Sequence, residues 1–314
     1  MPPRTDAKKK LQNRSSEAAT SPDITDPRRH PATVQSFEGL AVVATPIGHS
    51  RDITLRALDI LEQADVIACE DTRITAKLLA IHGISRPLLA YHQHNADRMR
   101  PALIKRLKGG ETVALVSDAG TPLVSDPGYK LVRACIVEGI AVTPLPGASS
   151  VMCALVVSGL PTNHFFFAGF LPQKSAARKR ALQELAAIPG SLVFLESAKR
   201  LAASLADMAA VLGDRDAAMT RELTKMFEEV RRGPLGELAA HYQSAGPPKG
   251  EVTIVVAPPD QAQAMEDDEL DRLLGEALKD ASVRDAADTV AVISGLSRRK
   301  VYTRALALKK AASE

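Results

Sequence analysis

The 314-residue sequence contains no tryptophan, and aromatic residues make up only 4% of it. That is too few for a platform on which successive bases stack. Its three cysteines, Cys69, Cys135 and Cys153, are odd in number, widely spaced and set in apolar segments. They read as packed free thiols rather than a disulfide framework or a metal site. No apolar run approaches membrane-spanning length, and the start of the chain lacks a secretory signal core. A cytoplasmic protein with no membrane partner is therefore expected. Nucleotide signatures are missing too: there is no G-x-x-x-x-G-K-[ST] and no G-x-G-x-x-G after a strand. A G-x-S-x-G elbow is also absent. His92-Gln-His94 has no evident third ligand, so a polar strand face is expected there and no metal.

Charge is lacking where it would mislead. The first 35 residues hold seven Lys/Arg against four Asp/Glu, which accounts for the whole formal net charge of +3. The body of the chain is neutral, so a nucleic-acid partner has to be argued from local clusters.

What is present begins with a disordered leader over residues 1–36, rich in Pro, Ser, Thr, Lys and Arg. From 37 to 160, apolar strand-length runs alternate with helical periodicity, which predicts an α/β domain on a parallel sheet of about five strands. Strands are expected at Val66–Cys69, Leu88–His94 and Val113–Val116. Helices are expected from Arg100 to Lys108, from Asp126-Pro127 to Gly139, and after a Ser149 or Ser150 cap. Gly159-Leu-Pro-Thr162 reads as a boundary. Residues 161–258 form a second α/β domain with more hairpins, including two strands around Glu222. An acidic linker over 258–271 precedes two amphipathic helices, Ser282–Ile293 and Ser297–Leu308, joined by Ser294-Gly295-Leu296. Residues 259–314 are thus a linker and a helix-turn-helix appendage.

Three strand ends are built from small residues: Thr45-Pro46-Ile47-Gly48, Asp118-Ala119-Gly120-Thr121-Pro122 and Pro144-Leu145-Pro146-Gly147-Ala148-Ser149. In an open parallel sheet, ligands bind where such loops leave the carboxyl ends of strands. Small residues let a flat, nucleoside-sized ligand lie against main chain. Asp118 and exposed carbonyls suit a cation better than a polyphosphate, which prefers N–H groups. S-adenosylmethionine carries that charge pattern. Tight turns and a capping Asp118 are the plain structural alternative.

Several runs carry a resemblance: Ala44-Thr-Pro-Ile-Gly48, Glu70-Asp-Thr-Arg73, Tyr91-His-Gln-His-Asn95, Ser117-Asp-Ala-Gly-Thr-Pro122, Pro144-Leu-Pro-Gly147, Gly169-Phe-Leu-Pro172 and Arg221-Glu-Leu-Thr-Lys225. In order and spacing they resemble the bacterial 16S ribosomal RNA (cytidine-2′-O)-methyltransferase family of the tetrapyrrole methylase superfamily, over roughly residues 38–310. Three places depart from that family's usual pattern: His49-Ser50, Glu196-Ser-Ala-Lys-Arg200 and Phe227. The resemblance implies a parallel-sheet domain and a mixed-sheet domain with S-adenosyl-L-methionine between them. It also implies a homodimer and a target cytidine in the decoding region of 16S rRNA in the small ribosomal subunit. The loop residues Pro46, Gly48, Asp118, Ala119, Gly120, Thr121, Pro122, Pro146, Gly147 and Ser149 are then the cofactor contacts.

Ribose methylation benefits from a group that takes the hydroxyl proton. Asp71, Glu222 and Lys225 are the candidates, though Asp71 could simply cap a helix and Glu222 could simply pair with Lys225 across a strand. Arg73 could grip a phosphate or pair with Glu70 or Asp71. Arg298, Arg299, Lys300 and Arg304 on the last helix are candidate RNA contacts, as are Arg231 and Arg232, whereas Arg178 to Arg180 read as a solvated face. Two rivals stay open: a methylase of tetrapyrroles or other small molecules, and a non-catalytic ribosome-binding protein.

Overall fold

A computed structural model describes residues 37–125, 128–259, 267–294 and 298–311. The expected leader and the 295–297 turn lie outside the described residues. The first domain runs β1 (Leu40–Val43), α1 (Leu55–Gln63), β2 (Val66–Cys69), α2 (Thr72–Ile81), β3 (Leu88–Ala90), α3 (Ala96–Lys108), β4 (Val113–Val116), α4 (Tyr129–Val137), β5 (Val142–Leu145) and α5 (Ser150–Ser158). The five strands form one parallel sheet in the order β3-β2-β4-β1-β5. β2 and β4 are buried at every position, which is why they read as continuous apolar runs and not as alternation.

Helices cover both faces. α1 and α2 bury Ala57, Ile60, Leu61 and Leu79 on one side. α3 and α4 bury Leu103, Leu107, Leu131 and Cys135 on the other. The adjacent strands β1 and β4 therefore send their chains to opposite faces, which opens a crevice between their carboxyl ends.

Three expectations are corrected here. β3 stops at Ala90 because the Asn95 side chain folds the next residues into a turn, accepting from His92 N at 2.9 Å and donating to Ala90 O at 2.9 Å. His92 and His94 thus lie off the strand, and α3 starts at Ala96, earlier than read. α4 starts at Tyr129 after Gly128, whose φ of 139° only glycine adopts readily. Asp126 and Pro127, read as its start, lie outside the described residues.

The second domain comprises β6 (Phe165–Phe170), α6 (Ser175–Leu185), β7 (Ser191–Ser197), a single 3₁₀ turn, α7 (Leu201–Leu212), β8 (Asp216–Arg221), β9 (Glu229–Pro234), α8 (Leu235–Ala245) and β10 (Glu251–Val256). Its sheet has the order β6-β7-β10-β8-β9, with β6 and β7 parallel and the remaining pairs antiparallel. α6, α7 and α8 close one face. Arg178, read as solvated, is instead buried and joins α6 to α7. Its Nε and Nη2 lie 2.8 and 2.6 Å from Asp207 Oδ2.

The opposite face of this sheet is covered by α5. Val151, Ala154 and Leu155 pack with Val193, Val255, Leu223 and Ile47, so residues from both domains share one cluster. A further helix, α9 (Asp267–Asp280), starts within the stretch read as a linker and runs on past it, and its Leu270 and Leu274 pack on α10 (Val283–Ser294) and α11 (Arg298–Ala311). The appendage is a three-helix cluster rather than a helix pair. Ser282 caps α10, accepting from Asp285 N at 3.2 Å and donating to its carboxylate at 2.7 Å.

Candidate active site

The crevice between β1 and β4 is lined by loops that hydrogen-bond to one another. Thr45 and Gly120 exchange backbone bonds of 2.9 and 3.0 Å, and Thr45 Oγ1 donates to Ser117 O at 3.1 Å. Thr121 Oγ1 reaches across to Ala148 O at 3.2 Å. Gly147 lies so close to the β1 end that a Cβ there would stand 2.9 Å from Ala44 Cβ. All three small-residue loops thus form one surface. Ala119, Gly48, Pro146 and Gly147 are exposed on it, while Pro46, Gly120 and Pro122 are buried beneath it and set its shape. The Ser149 hydroxyl is engaged as the cap of α5, accepting from Met152 N at 3.4 Å.

The polar floor of the crevice is acidic. Asp118 Oδ1 accepts from the Asp71 backbone N at 2.9 Å, tying the ends of β2 and β4 together. Burial pushes the Asp118 carboxyl up from its ordinary range, and the Asp71 charge adds to this. Glu70 is raised as well, by burial first and by Asp118 next. Among the described residues neither forms an ion pair. The sequence marks Glu70 only as a possible partner for Arg73. Its place directly after a buried strand and one residue before the helix cap is the signal that points to the crevice.

Asp71 caps α2, accepting from Arg73 N at 2.8 Å, and pairs with the Arg73 guanidinium at 2.6 Å. Those hydrogen bonds hold its carboxyl down at about 2, so the group is a weak base while paired. Arg73 is largely exposed on the rim and pairs with Asp71, not Glu70.

The second domain meets this surface through the turn between β8 and β9. Gly48 stands against it: a Cβ there would lie 2.5 Å from Lys225 Cγ and 2.6 Å from Thr224 Oγ1. His49 N donates to Thr224 Oγ1 at 3.1 Å, and Leu223 enters the shared apolar cluster. Glu222 and Thr224 hold φ of 48° and 63°, a left-handed conformation uncommon outside glycine and frequent at functional turns. The Lys225 ammonium lies 2.9 Å from Glu222 Oε1 and 3.2 Å from Glu251 Oε2. Glu222 is held low, chiefly by Lys225. Burial would lower Lys225, but Glu222 and Glu251 outweigh it and keep the ammonium charged. Two carboxylates thus surround Lys225 at this face, a setting that favours its ammonium over the deprotonated base considered from sequence.

The remaining basic candidates sit elsewhere. Arg232 donates to the terminal carbonyls of α5, Val157 O and Ser158 O, and Arg231 pairs with Glu229. Both are structural in this geometry. In the C-terminal cluster, Arg298 pairs with Asp288 and Arg304 with Asp271. Arg299 is exposed on α11, which also carries Lys300.

A two-domain α/β molecule with small-residue loops at a sheet switch point, closed by a turn of its second domain, defines the class of methylases described as Tetrapyrrole (Corrin/Porphyrin) Methylases, whose family model matches residues 39–239. The RsmI C-terminal HTH domain model matches residues 264–309. The chain is 50% identical over 276 residues to ribosomal RNA small subunit methyltransferase I of Mesorhizobium japonicum, covering 88% of this chain and 94% of that one. It is 43% identical to the protein of the same name from Escherichia coli O157:H7, covering 89% and 98%. The chain therefore belongs to the tetrapyrrole methylase family, in its ribosomal RNA small subunit methyltransferase I branch. Among solved structures, diphthine synthase superposes with a TM-score of 0.56 at 17% identity, over 69% of this chain and 89% of that one. A uroporphyrin-III C-methyltransferase from Thermus thermophilus, complexed with S-adenosyl homocysteine, gives 0.51 at 19% identity, over 69% and 96%. These two share the fold.

Proposed function

We propose that this chain, an S-adenosylmethionine-dependent methyltransferase of small-subunit ribosomal RNA, methylates the ribose 2′-oxygen of a cytidine in the decoding region of 16S rRNA. The observation that carries the reading is the crevice floor: two desolvated carboxylates, Asp118 and Glu70, without an ion partner among the described residues and beneath exposed main chain. That donor set fits a cationic, nucleoside-sized cofactor. Gly48, Ala119, Pro146 and Gly147 would supply the surface, and Pro46, Gly120, Thr121, Pro122 and Ser149 would hold its shape. The cofactor supplies an electrophilic methyl group when bound.

The chain's own part is to place a hydroxyl in line with that methyl group. Positioning of this kind is worth about 7–11 kcal/mol in well-oriented reactions. The Glu222–Lys225 pair, fixed against Gly48, presents a carboxylate and a cation at the mouth. Asp71 or Glu222 takes up the ribose proton, and Arg73, Arg298, Arg299, Lys300 and Arg304 contact the RNA. The active unit is a cytoplasmic homodimer, supported by large apolar side chains left exposed on α5 and β6 such as Val156 and Phe170. Sedimentation equilibrium of the purified protein checks this, and a monomer at all concentrations refutes it.

Mapping ribose methylation in small-subunit RNA, with and without this chain, tests the main reading. Loss of one 2′-O-methyl cytidine is expected, whereas transfer of label to a base or to no RNA at all rejects it. Ala at both Asp71 and Glu222 is expected to slow single-turnover methylation by 10²-fold or more. An unchanged rate removes both from the mechanism.

A further inference from the structure

The helices on the two faces of the first sheet differ in charge. α3 and α4 together carry seven Lys/Arg and one carboxylate, whereas α1 and α2 carry three Lys/Arg and two carboxylates. In a chain whose body is neutral, that asymmetry is local and large. Between α3 and α4 runs an open groove of about 440 Å3, lined among others by Arg100, Ile104, Tyr129, Lys130, Arg133 and Val137. Arg98, Lys105 and Arg133 are exposed and form no ion pair among the described residues. Arg100 and Lys130 share the carboxylate of Asp97 at 2.9 and 3.2 Å, while Arg106 and Lys108 pair with Glu111 and with Glu138 at the far end of the groove. Tyr129 is 63% exposed, an aromatic ring left facing solvent at the first position of α4.

Position makes this patch more than a solvated face. Both helices start at the carboxyl edge of the sheet, the edge that holds the crevice. α4 follows directly on the loop that begins at Asp118. Tyr129 and Lys130 are the helix's first two residues, and Arg133 lies one turn further on.

We propose that the α3–α4 groove is a second RNA-contact surface, in which Lys130 and Arg133 hold backbone phosphates of the substrate and Tyr129 stacks on one base flanking the target nucleotide. The inference rests on the RNA reading above and extends it to a face that the C-terminal helices do not supply. Phosphate contacts make affinity fall with salt, each adding about one to the slope of log K against log salt. A single stacked ring adds affinity with little salt dependence.

The test compares the full chain with Lys130→Glu/Arg133→Glu and with Tyr129→Ala, measuring binding to small ribosomal subunits over a range of KCl. S-adenosylmethionine calorimetry serves as the folding control. The charge reversal is expected to reduce the slope by about two, and Tyr129→Ala to weaken binding about tenfold with the slope unchanged. Arg133→Gln, a milder change at an exposed site, is expected to reduce the slope by about one. Unchanged slopes in variants that still bind cofactor overturn the proposal. So does a shift in sedimentation with RNA affinity intact, which would mark the groove as a contact with a second copy. Wild-type protein that binds cofactor but shows no salt-dependent RNA affinity fails the underlying reading instead, and takes the groove with it.

Discussion

Asp118 is held in its native place at a cost. Its carboxyl is raised by burial, so the folded state binds that proton more readily than the unfolded chain does. The ionised group therefore opposes folding at neutral pH, and the penalty fades as pH falls through the folded pKa toward the unfolded value of about 3.9. Asp118→Asn keeps an oxygen to accept from Asp71 N and removes the charge. It is expected to raise the thermal midpoint at pH 7, with the gain shrinking as pH approaches 4, while S-adenosylmethionine affinity in calorimetry falls by tenfold or more. Gly48 shows the opposite kind of constraint. Its backbone is unremarkable, but Gly48→Ala drives a methyl group into Lys225 and Thr224. Overpacking of this sort costs about 1–3 kcal/mol. Urea titration should show that loss, and steady-state rates should fall because the β8–β9 turn is displaced.

Among the elements, what could be read from sequence was set by local chemistry. β1, β2 and β4 were legible because a strand buried on both faces must be apolar throughout, and α2 and α5 were legible through Asp71 and Ser149 at their caps. β3 was overextended because the turn that ends it is made by one side chain, Asn95, with no glycine to mark it. α9 was masked because it starts within an acidic, proline-containing stretch, although Leu270, Leu273, Leu274 and Ala277 recur at helical spacing. Arg178 could not be placed, since its partner Asp207 is 29 residues away on another helix. The three small-residue loops do meet on one surface, while the sharing of one apolar cluster by Ile47, α5 and Leu223 depends on tertiary packing that no local signal carries. The Arg178–Asp207 pair gives a clean element-scale prediction. Arg178→Met leaves a buried carboxylate with Lys179 at 3.4 Å as its one remaining cation and the Ser175 hydroxyl at 3.0 Å, and should destabilise the protein by about 3 kcal/mol in urea. Adding Asp207→Leu is expected to restore most of that loss.

At the scale of the molecule, α9, α10 and α11 bury their apolar faces mainly against one another. A chain ending at residue 259 is therefore expected to melt cooperatively and to bind S-adenosylmethionine as the full chain does, while its affinity for small ribosomal subunits falls. Loss of cofactor binding in that truncation would show that the cluster supports the body. The two larger domains are joined differently. α5 is capped by Ser149 in a crevice loop and has its flank sunk against the second sheet. Tilting one sheet against the other must therefore lever the Pro146–Ser149 segment, and seating a ligand on that segment must fix the tilt. Occupancy of that segment and the tilt of the two sheets are therefore mechanically linked through one helix.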